Sequence, residues 1–331
     1  PCPLSKGACA YRCVRAILLT PPPPQQTCPR SACTPCCLSA GSAAIIVGTT
    51  AGSDSNSATP IHFGTSHEIT SSVLGETRTV NVWLPPEHDT AEMPYTVLYL
   101  IDGGVEQDFP HIAGLAQLGV ISWQYEPLIV VGIETTERIH ELTPAPEDAR
   151  YRTQFDTSGG AEAFRAYIAQ DVIPFIEATY RVGERRAVIG ESLAGLFIVD
   201  TLLEQPDLFD DYISVSPSLW WDDQAVAGRA AERLAAAGHS DTRVYLTMGD
   251  EGGTMQAGLD TLLAALDAVE GAPDYRYVDR RETETHSTIY HGAALDALRW
   301  LYPYPPYDYG ATPWYLIEGG QPDQAANEGN E

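Results

Sequence analysis

The stretch Arg186-Ala-Val-Ile-Gly-Glu-Ser-Leu-Ala-Gly195 sets one serine, Ser192, between a short β-branched run and a string of small residues. A serine hydroxyl is a weak nucleophile until a base takes its proton, so it can do chemistry only if the rest of the chain supplies that base. The setting predicts a strand at 187–189 before it and an apolar helix at 193–204 after it, the strand–turn–helix of a nucleophile elbow. Strand and helix come close there, so the residues two before and two after the serine must be small, as Gly190 and Ala194 are. Gly195 relieves the next contact. A serine that merely caps a helix after a tight turn would give a similar local pattern.

In an elbow of this kind the chain order is serine, acid, histidine. Three histidines follow Ser192, namely His239, His286 and His291. His239 sits in a helix-ending Gly-His-Ser, and His291 falls where the last helix starts. His286 lies in Arg281-Glu-Thr-Glu-Thr-His-Ser-Thr-Ile289, just past the last predicted strand, where a loop can turn back over the serine. The acid is expected in the loop Gly249-Asp-Glu-Gly-Gly253, where both Asp250 and Glu251 are eligible. The longer reach of Glu251 favours it, and Asp250 next to the strand end suits a cap or a loop amide. Two backbone N–H groups must hold the developing oxyanion: one from Leu193, after the nucleophile, and one from the loop Asp102-Gly103-Gly104. Such chemistry needs no cofactor and no metal.

These residues require a frame. Continuous apolar runs at 95–101 and 128–133 are of buried-strand type, and further strands are expected at 79–84, 212–215, 243–248 and 275–278. Helical spacing marks 161–179, with Pro174 bending it, and 225–237, 256–269 and 293–302. Strands alternating with helices predict an α/β fold, with a mostly parallel central sheet and helices on both faces.

Composition narrows the partners. Residues 1–53 hold Lys6, Arg12, Arg15 and Arg30 and no acid, so a net charge of −26 leaves the remainder at −30. A surface this acidic repels nucleic acid and anionic membrane, and no apolar run is long enough to span a bilayer. Lysine occurs once, at Lys6. All seven cysteines precede residue 40, so the folded part uses no thiol, disulfide or cysteine-held metal. The expected organisation is a disordered, signal-like or artefactual segment at 1–53, a catalytic domain at 54–317 and an acidic disordered tail at 318–331. The apolar, small-residue run at 42–51 gives export a slight edge over the cytoplasm.

Several ordered motifs between about Ile61 and Tyr302 resemble the "Putative esterase" family of α/β-hydrolases. They are Leu98-Tyr-Leu-Ile-Asp-Gly103, Ile129-Val-Val-Gly-Ile133 followed by Arg138 to Pro144, Gly159-Gly-Ala-Glu-Ala-Phe164 with Val172-Ile-Pro174, the elbow, Ser216-Pro-Ser-Leu-Trp-Trp-Asp222, and Glu284-Thr-His-Ser287. The Ser-Pro-Ser-Leu-Trp-Trp motif and the loop histidine are most similar to the siderophore-esterase-like branch. The resemblance implies the α/β-hydrolase fold and hydrolysis of a small carboxylic ester through an acyl-enzyme. It implies Ser192 as nucleophile, His286 as base, and Gly104 with Leu193 as oxyanion donors, Gly103 lying beside them. An acid at Glu251 or Asp250 would orient His286, and Trp220 or Trp221 would line the pocket. An acyltransferase would use the same machinery, with an alcohol in place of water; siderophore or feruloyl esters would be a narrower specificity.

Overall fold

The computed structural model of the chain describes residues 58–90, 92–238, 241–305 and 314–316. The expectations for 1–53 and 318–331, and His239, lie outside these residues. The chain divides into two units, Pro1–Thr59 and Pro60–Glu331, and every strand and helix described belongs to the second.

Eight strands form one sheet: β1 (Thr65–Thr70), β2 (Thr77–Trp83), β3 (Tyr95–Ile101), β4 (Leu128–Ile133), β5 (Val182–Glu191), β6 (Asp211–Val215), β7 (Arg243–Met248) and β8 (Asp274–Asp279). Their order is β1-β2-β4-β3-β5-β6-β7-β8. The pairs β1–β2 and β2–β4 are antiparallel, and every pair from β4 onward is parallel. This is the mostly parallel sheet expected, with an antiparallel edge made by β2 and by β1, the latter a strand the sequence pattern did not mark.

Alternation along the central strands sorts side chains into two cores. Val97, Tyr99 and Ile101 of β3 and Val188 of β5 face one, together with Phe164, Phe197 and Leu259 from helices. Leu98 and Leu100 of β3 and Ala187 and Ile189 of β5 face the other, with Phe109, Ile112 and Leu298. A parallel strand covered on both faces has no polar side, which is why β3 and β4 read as unbroken apolar runs.

Three helices matter for what the sheet carries. Phe109–Ile121 follows β3, Leu193–Glu204 follows β5, and Ile289–Leu301 follows the last loop. The first escaped the sequence pattern because Pro110 and two glycines interrupt it; Pro110 stands in its first turn, where no N–H is missed. Gly119 is required there, since a Cβ would lie 2.2 Å from the Tyr125 ring. The bend expected at Pro174 is a widened turn at Ile168–Val172, between Ala161–Tyr167 and Ile173–Thr179, in which the Ile173 N–H reaches back to the Ile168 carbonyl. Among the described residues no helix is long and apolar enough to cross a membrane.

All cations in the described unit other than histidine are arginines, and several tie strand ends together. Asp211, fully buried, accepts from Arg185 at 2.8 Å, from Arg243 at 2.7 Å and from the Tyr302 hydroxyl at 2.5 Å. Burial pushes its carboxyl up, but the hydrogen bonds from Arg243, Arg185 and Tyr302 outweigh this and leave the pKa below the ordinary value. On the helix side, Asp200 is clasped by Arg165 and Arg229. Removing one member of a buried charged cluster strands the others. Asp211→Ala should therefore cost about 3 kcal/mol in urea unfolding, the low end for a broken buried pair because both guanidinia reach solvent. A loss below 0.5 kcal/mol would show that the cluster contributes little.

Candidate active site

Ser192 stands between β5 and the helix Leu193–Glu204 at φ 62° and ψ −116°, a left-handed conformation that a non-glycine residue rarely adopts. The neighbouring small residues have measurable reasons. A Cβ on Gly190 would sit 2.6 Å from the Ala194 Cβ, and one on Gly195 would sit 3.0 Å from both Ser214 Oγ and the Val215 carbonyl. The turn is pinned by the Ser192 N–H donating to the Val215 carbonyl at 3.0 Å, and by the Ser218 N–H donating to the Ser192 carbonyl at 3.0 Å. Ser192 is thus held by the Ser216-Pro-Ser218 loop after β6, and its hydroxyl lies 3.3 Å from Ser218 Oγ. Ser218 is a contact that sequence reasoning had not assigned.

The loop after β7 brings Glu251 to His286. Glu251 Oε1 lies 2.9 Å from His286 Nδ1, the carboxylate side chain 8% exposed and the imidazole 41%. With Nδ1–H donating to the carboxylate, the Nε2 lone pair is free to take a proton. Asp250 is exposed, and its amide donates to the Glu284 carbonyl at 2.9 Å. The helix Gly253–Ala268 has Gly252 at its cap and no side-chain cap, so Asp250 does not cap it either. Of the two acids left open in the sequence, Glu251 is the one whose carboxylate reaches the imidazole. His291 lies in the first turn of Ile289–Leu301, stacked at a tilt on His111 with ring centroids 5.0 Å apart, away from Glu251's hydrogen bond.

The expected oxyanion donors fare differently. Leu193 opens its helix, where first-turn amides lack a carbonyl from their own helix. Gly103 is not a donor to the cleft: its N–H goes to the Ile133 carbonyl at 2.8 Å. It is glycine because a Cβ would lie 2.2 Å from Gly132 Cα on β4. The Gly104 N–H donates to Gln107 Oε1 at 2.9 Å.

Trp220 and Trp221 also separate. Trp221 is 1% exposed and donates through Nε1 to the Pro144 carbonyl at 3.1 Å, so burial removes it from any pocket lining. Trp220 is half-buried and stacks on Tyr151, with Phe155 alongside, around a hollow of about 330 Å³ shared with Arg150 and Gln154. A left-handed run at Asp222–Gln224 turns the Asp222 carboxylate onto the amides of Glu147 and Asp148, at 2.7 and 3.0 Å, and so fixes the loop that presents Tyr151.

Beside the elbow lies a set of carboxyls. Burial, and then the charge of Asp108, pushes Glu191 up to about 7. Burial, and then Asp102, pushes Asp108 up to about 6. Among the described residues no group of three or more His, Cys, Asp or Glu side chains is arranged to hold a metal ion.

A carboxyl whose pKa is raised by folding keeps its proton better in the folded state, so stability is lost as pH climbs from the ordinary Glu value of 4.5 through about 7. Glu191→Gln removes that penalty. Its melting temperature should exceed the parent's by more at pH 8 than at pH 5, and equal differences at the two values would show that Glu191 ionises freely.

Known proteins resemble this chain in sequence and in fold. The family described as "Putative esterase" matches residues 71–295. Ferri-bacillibactin esterase BesA of Bacillus subtilis is 34% identical over 170 residues, 44% of this chain and 56% of that protein. A siderophore enterobactin esterase of Emericella nidulans is 32% identical over 125 residues, 33% of this chain and 41% of that protein. The chain thus matches about half the length of these relatives. Among solved structures, an IroE-like serine hydrolase from Shewanella oneidensis superposes with a TM-score of 0.66 at 25% identity, over 75% of this chain and 83% of that one. With the elbow, the β-sheet order and a family match across most of the chain in agreement, this chain belongs to the "Putative esterase" family and has the α/β-hydrolase fold.

Proposed function

We propose that the chain hydrolyses carboxylic esters through an acyl-enzyme formed on Ser192. The observation that carries this is the Glu251–His286 hydrogen bond, made by loops after β7 and β8, at the same sheet end as the strained Ser192. Ser192 Oγ attacks the ester carbonyl as His286 Nε2 takes its proton, and the alcohol leaves with that proton. Water then enters, His286 takes its proton in turn, and the carboxylic acid departs. Glu251 holds the imidazole tautomer and stabilises the imidazolium. In the free chain the Ser192 hydroxyl faces Ser218 rather than the imidazole, a looseness common before substrate binds.

Siderophore esters are the substrate class we favour. Two relatives are named as siderophore esterases, and the hollow formed by Trp220, Tyr151 and Phe155 offers a face on which a planar acyl group can stack.

Ser192→Ala should lower kcat by about 10⁴-fold or more without unfolding the protein, and the parent should take up one phosphonyl group at Ser192. Retention of most activity by the alanine variant would sink the mechanism. Glu251→Gln should lower kcat strongly, by less than Ser192→Ala, while Asp250→Asn stays near the parent; the reverse order would reassign the acid.

Substrate class is read from Trp220→Ala, assayed against an aryl trilactone siderophore and p-nitrophenyl acetate. KM for the siderophore should rise about tenfold, the scale of one lost aromatic stack with its burial, and acetate turnover should hardly change. Equal effects on both would remove Trp220 from the acyl site.

A further inference from the structure

The Gly104 N–H, the loop donor expected for the oxyanion hole, is engaged in the free chain by the side-chain oxygen of Gln107. That side chain is anchored at its other end. Gln107 Nε2 donates to the Thr135 carbonyl at 2.9 Å and lies 3.0 Å from Thr135 Oγ1, while Oε1 also lies 3.4 Å from the Thr135 N–H. Thr135 Oγ1 donates to Asp102 Oδ1 at 2.5 Å, Arg138 Nε donates to Asp102 Oδ2 at 2.7 Å, and Arg138 also reaches the Glu191 carbonyl at 3.4 Å, one residue before Ser192. A continuous polar chain therefore joins the Gly104 amide to the nucleophile's own peptide. The space over that amide is tight: a Cβ on Gly104 would lie 2.8 Å from Gln107 Oε1 and 3.0 Å from Glu134 Cγ.

We propose that Gln107 is the positioning residue of the oxyanion hole. Its carboxamide oxygen stands in for the substrate's oxygen on the Gly104 N–H, holds the loop aimed while the site is empty, and yields that N–H as the oxyanion forms. The chemistry suits the role. A neutral amide oxygen is a weaker acceptor than an oxyanion but a stronger one than an ester carbonyl, so the exchange favours the transition state over the bound ester. Anchorage of Nε2 on Thr135 lets Oε1 give up Gly104 while the loop keeps its place. Thr135 and Asp102, 4% and 5% exposed, form a buried footing for this.

The proposal rests on Ser192 as nucleophile, and the test separates the two. The parent is treated with a p-nitrophenyl alkylphosphonate and its crystal structure determined. The expected result is a phosphonyl oxygen within hydrogen-bond distance of both the Leu193 and Gly104 amides, with Gln107 Oε1 no longer accepting from Gly104 and Nε2 still on Thr135. A phosphonyl group on Ser192 with Gly104 still bonded to Gln107 overturns this proposal alone. Absence of phosphonyl from Ser192 overturns the nucleophile along with it.

Gln107→Glu supplies a second readout. A neutral glutamic acid can accept from Gly104 and donate to the Thr135 carbonyl, as the amide does. Its ionised form has no proton to donate; the Asp102 carboxylate lies one hydroxyl away through Thr135 with Arg138 on it, Asp108 and Glu191 interact with that pair, and the Glu134 side chain lies by Gly104. The ratio of variant to parent kcat should fall about tenfold or more between pH 5.5 and pH 8, with kcat/KM falling in step, towards the roughly 10²-fold cost of losing one oxyanion donor outright. Taking the ratio at each pH removes the pH dependence that both proteins share. A ratio that stays flat across that range overturns the proposal.

Discussion

The structure depends on one backbone conformation, the left-handed Ser192. A non-glycine residue held there costs on the order of 1–3 kcal/mol and persists only where its surroundings over-determine it. Here they do: the Ser192 N–H is engaged by the last residue of β6 and its carbonyl by the loop that follows, and the packing of Gly190 on Ala194 leaves no room for a wider turn. The requirement then spreads outward. β5 must be central so that its end meets β6 on one side and β3 on the other, and it lies between those strands in the sheet. The helix after Ser192 must be nearly all buried, as its residues from Ala194 to Leu203 are.

From that point the site is assembled by the ends of five parallel strands. β3 leads to Gly103 and Gly104, β4 to Thr135 and Arg138, β5 to Ser192, β6 to Ser218 and Trp220, and β7 to Glu251. His286 comes from the loop after β8. Ligands of open α/β sheets bind at the carboxyl ends of the strands, and here the polar chain from Gly104 to Glu191 makes neighbouring ends one unit rather than separate loops.

The proposed nucleophile and base were legible in the sequence because each is fixed by local pattern and chain order. Small residues can flank Ser192 only in a tight turn, and His286 follows the last strand. The proposed acid was legible to within two residues, since spacing places a loop but not the direction of its side chains. Gly103, placed beside the expected oxyanion donors, could not be resolved for a related reason. Its glycine serves close packing on Gly132, and a donor to the cleft and a donor within the sheet look alike in sequence. Trp220 and Trp221 are adjacent and of one type, so only the turn at Asp222 decides which is buried. Gln107 left no trace, because one glutamine in a loop has no periodicity or motif to announce it. β1 was missed because an edge strand whose residues are mostly exposed carries too few apolar side chains to alternate visibly.

The arginine-only ion clusters have a consequence for the fate of a bound acyl group. The ion pairs of Asp102, Asp200 and Asp211 described above all use guanidinia, which stay protonated at all ordinary pH values and are very poor nucleophiles. Lys6 holds the single ε-amino group of the sequence. The domain that would carry an activated ester therefore contains no lysine to divert it into a stable amide. Self-acylation of its own side-chain amines, a slow route to inactivation for an enzyme that handles reactive acyl groups, is closed off by composition throughout that domain.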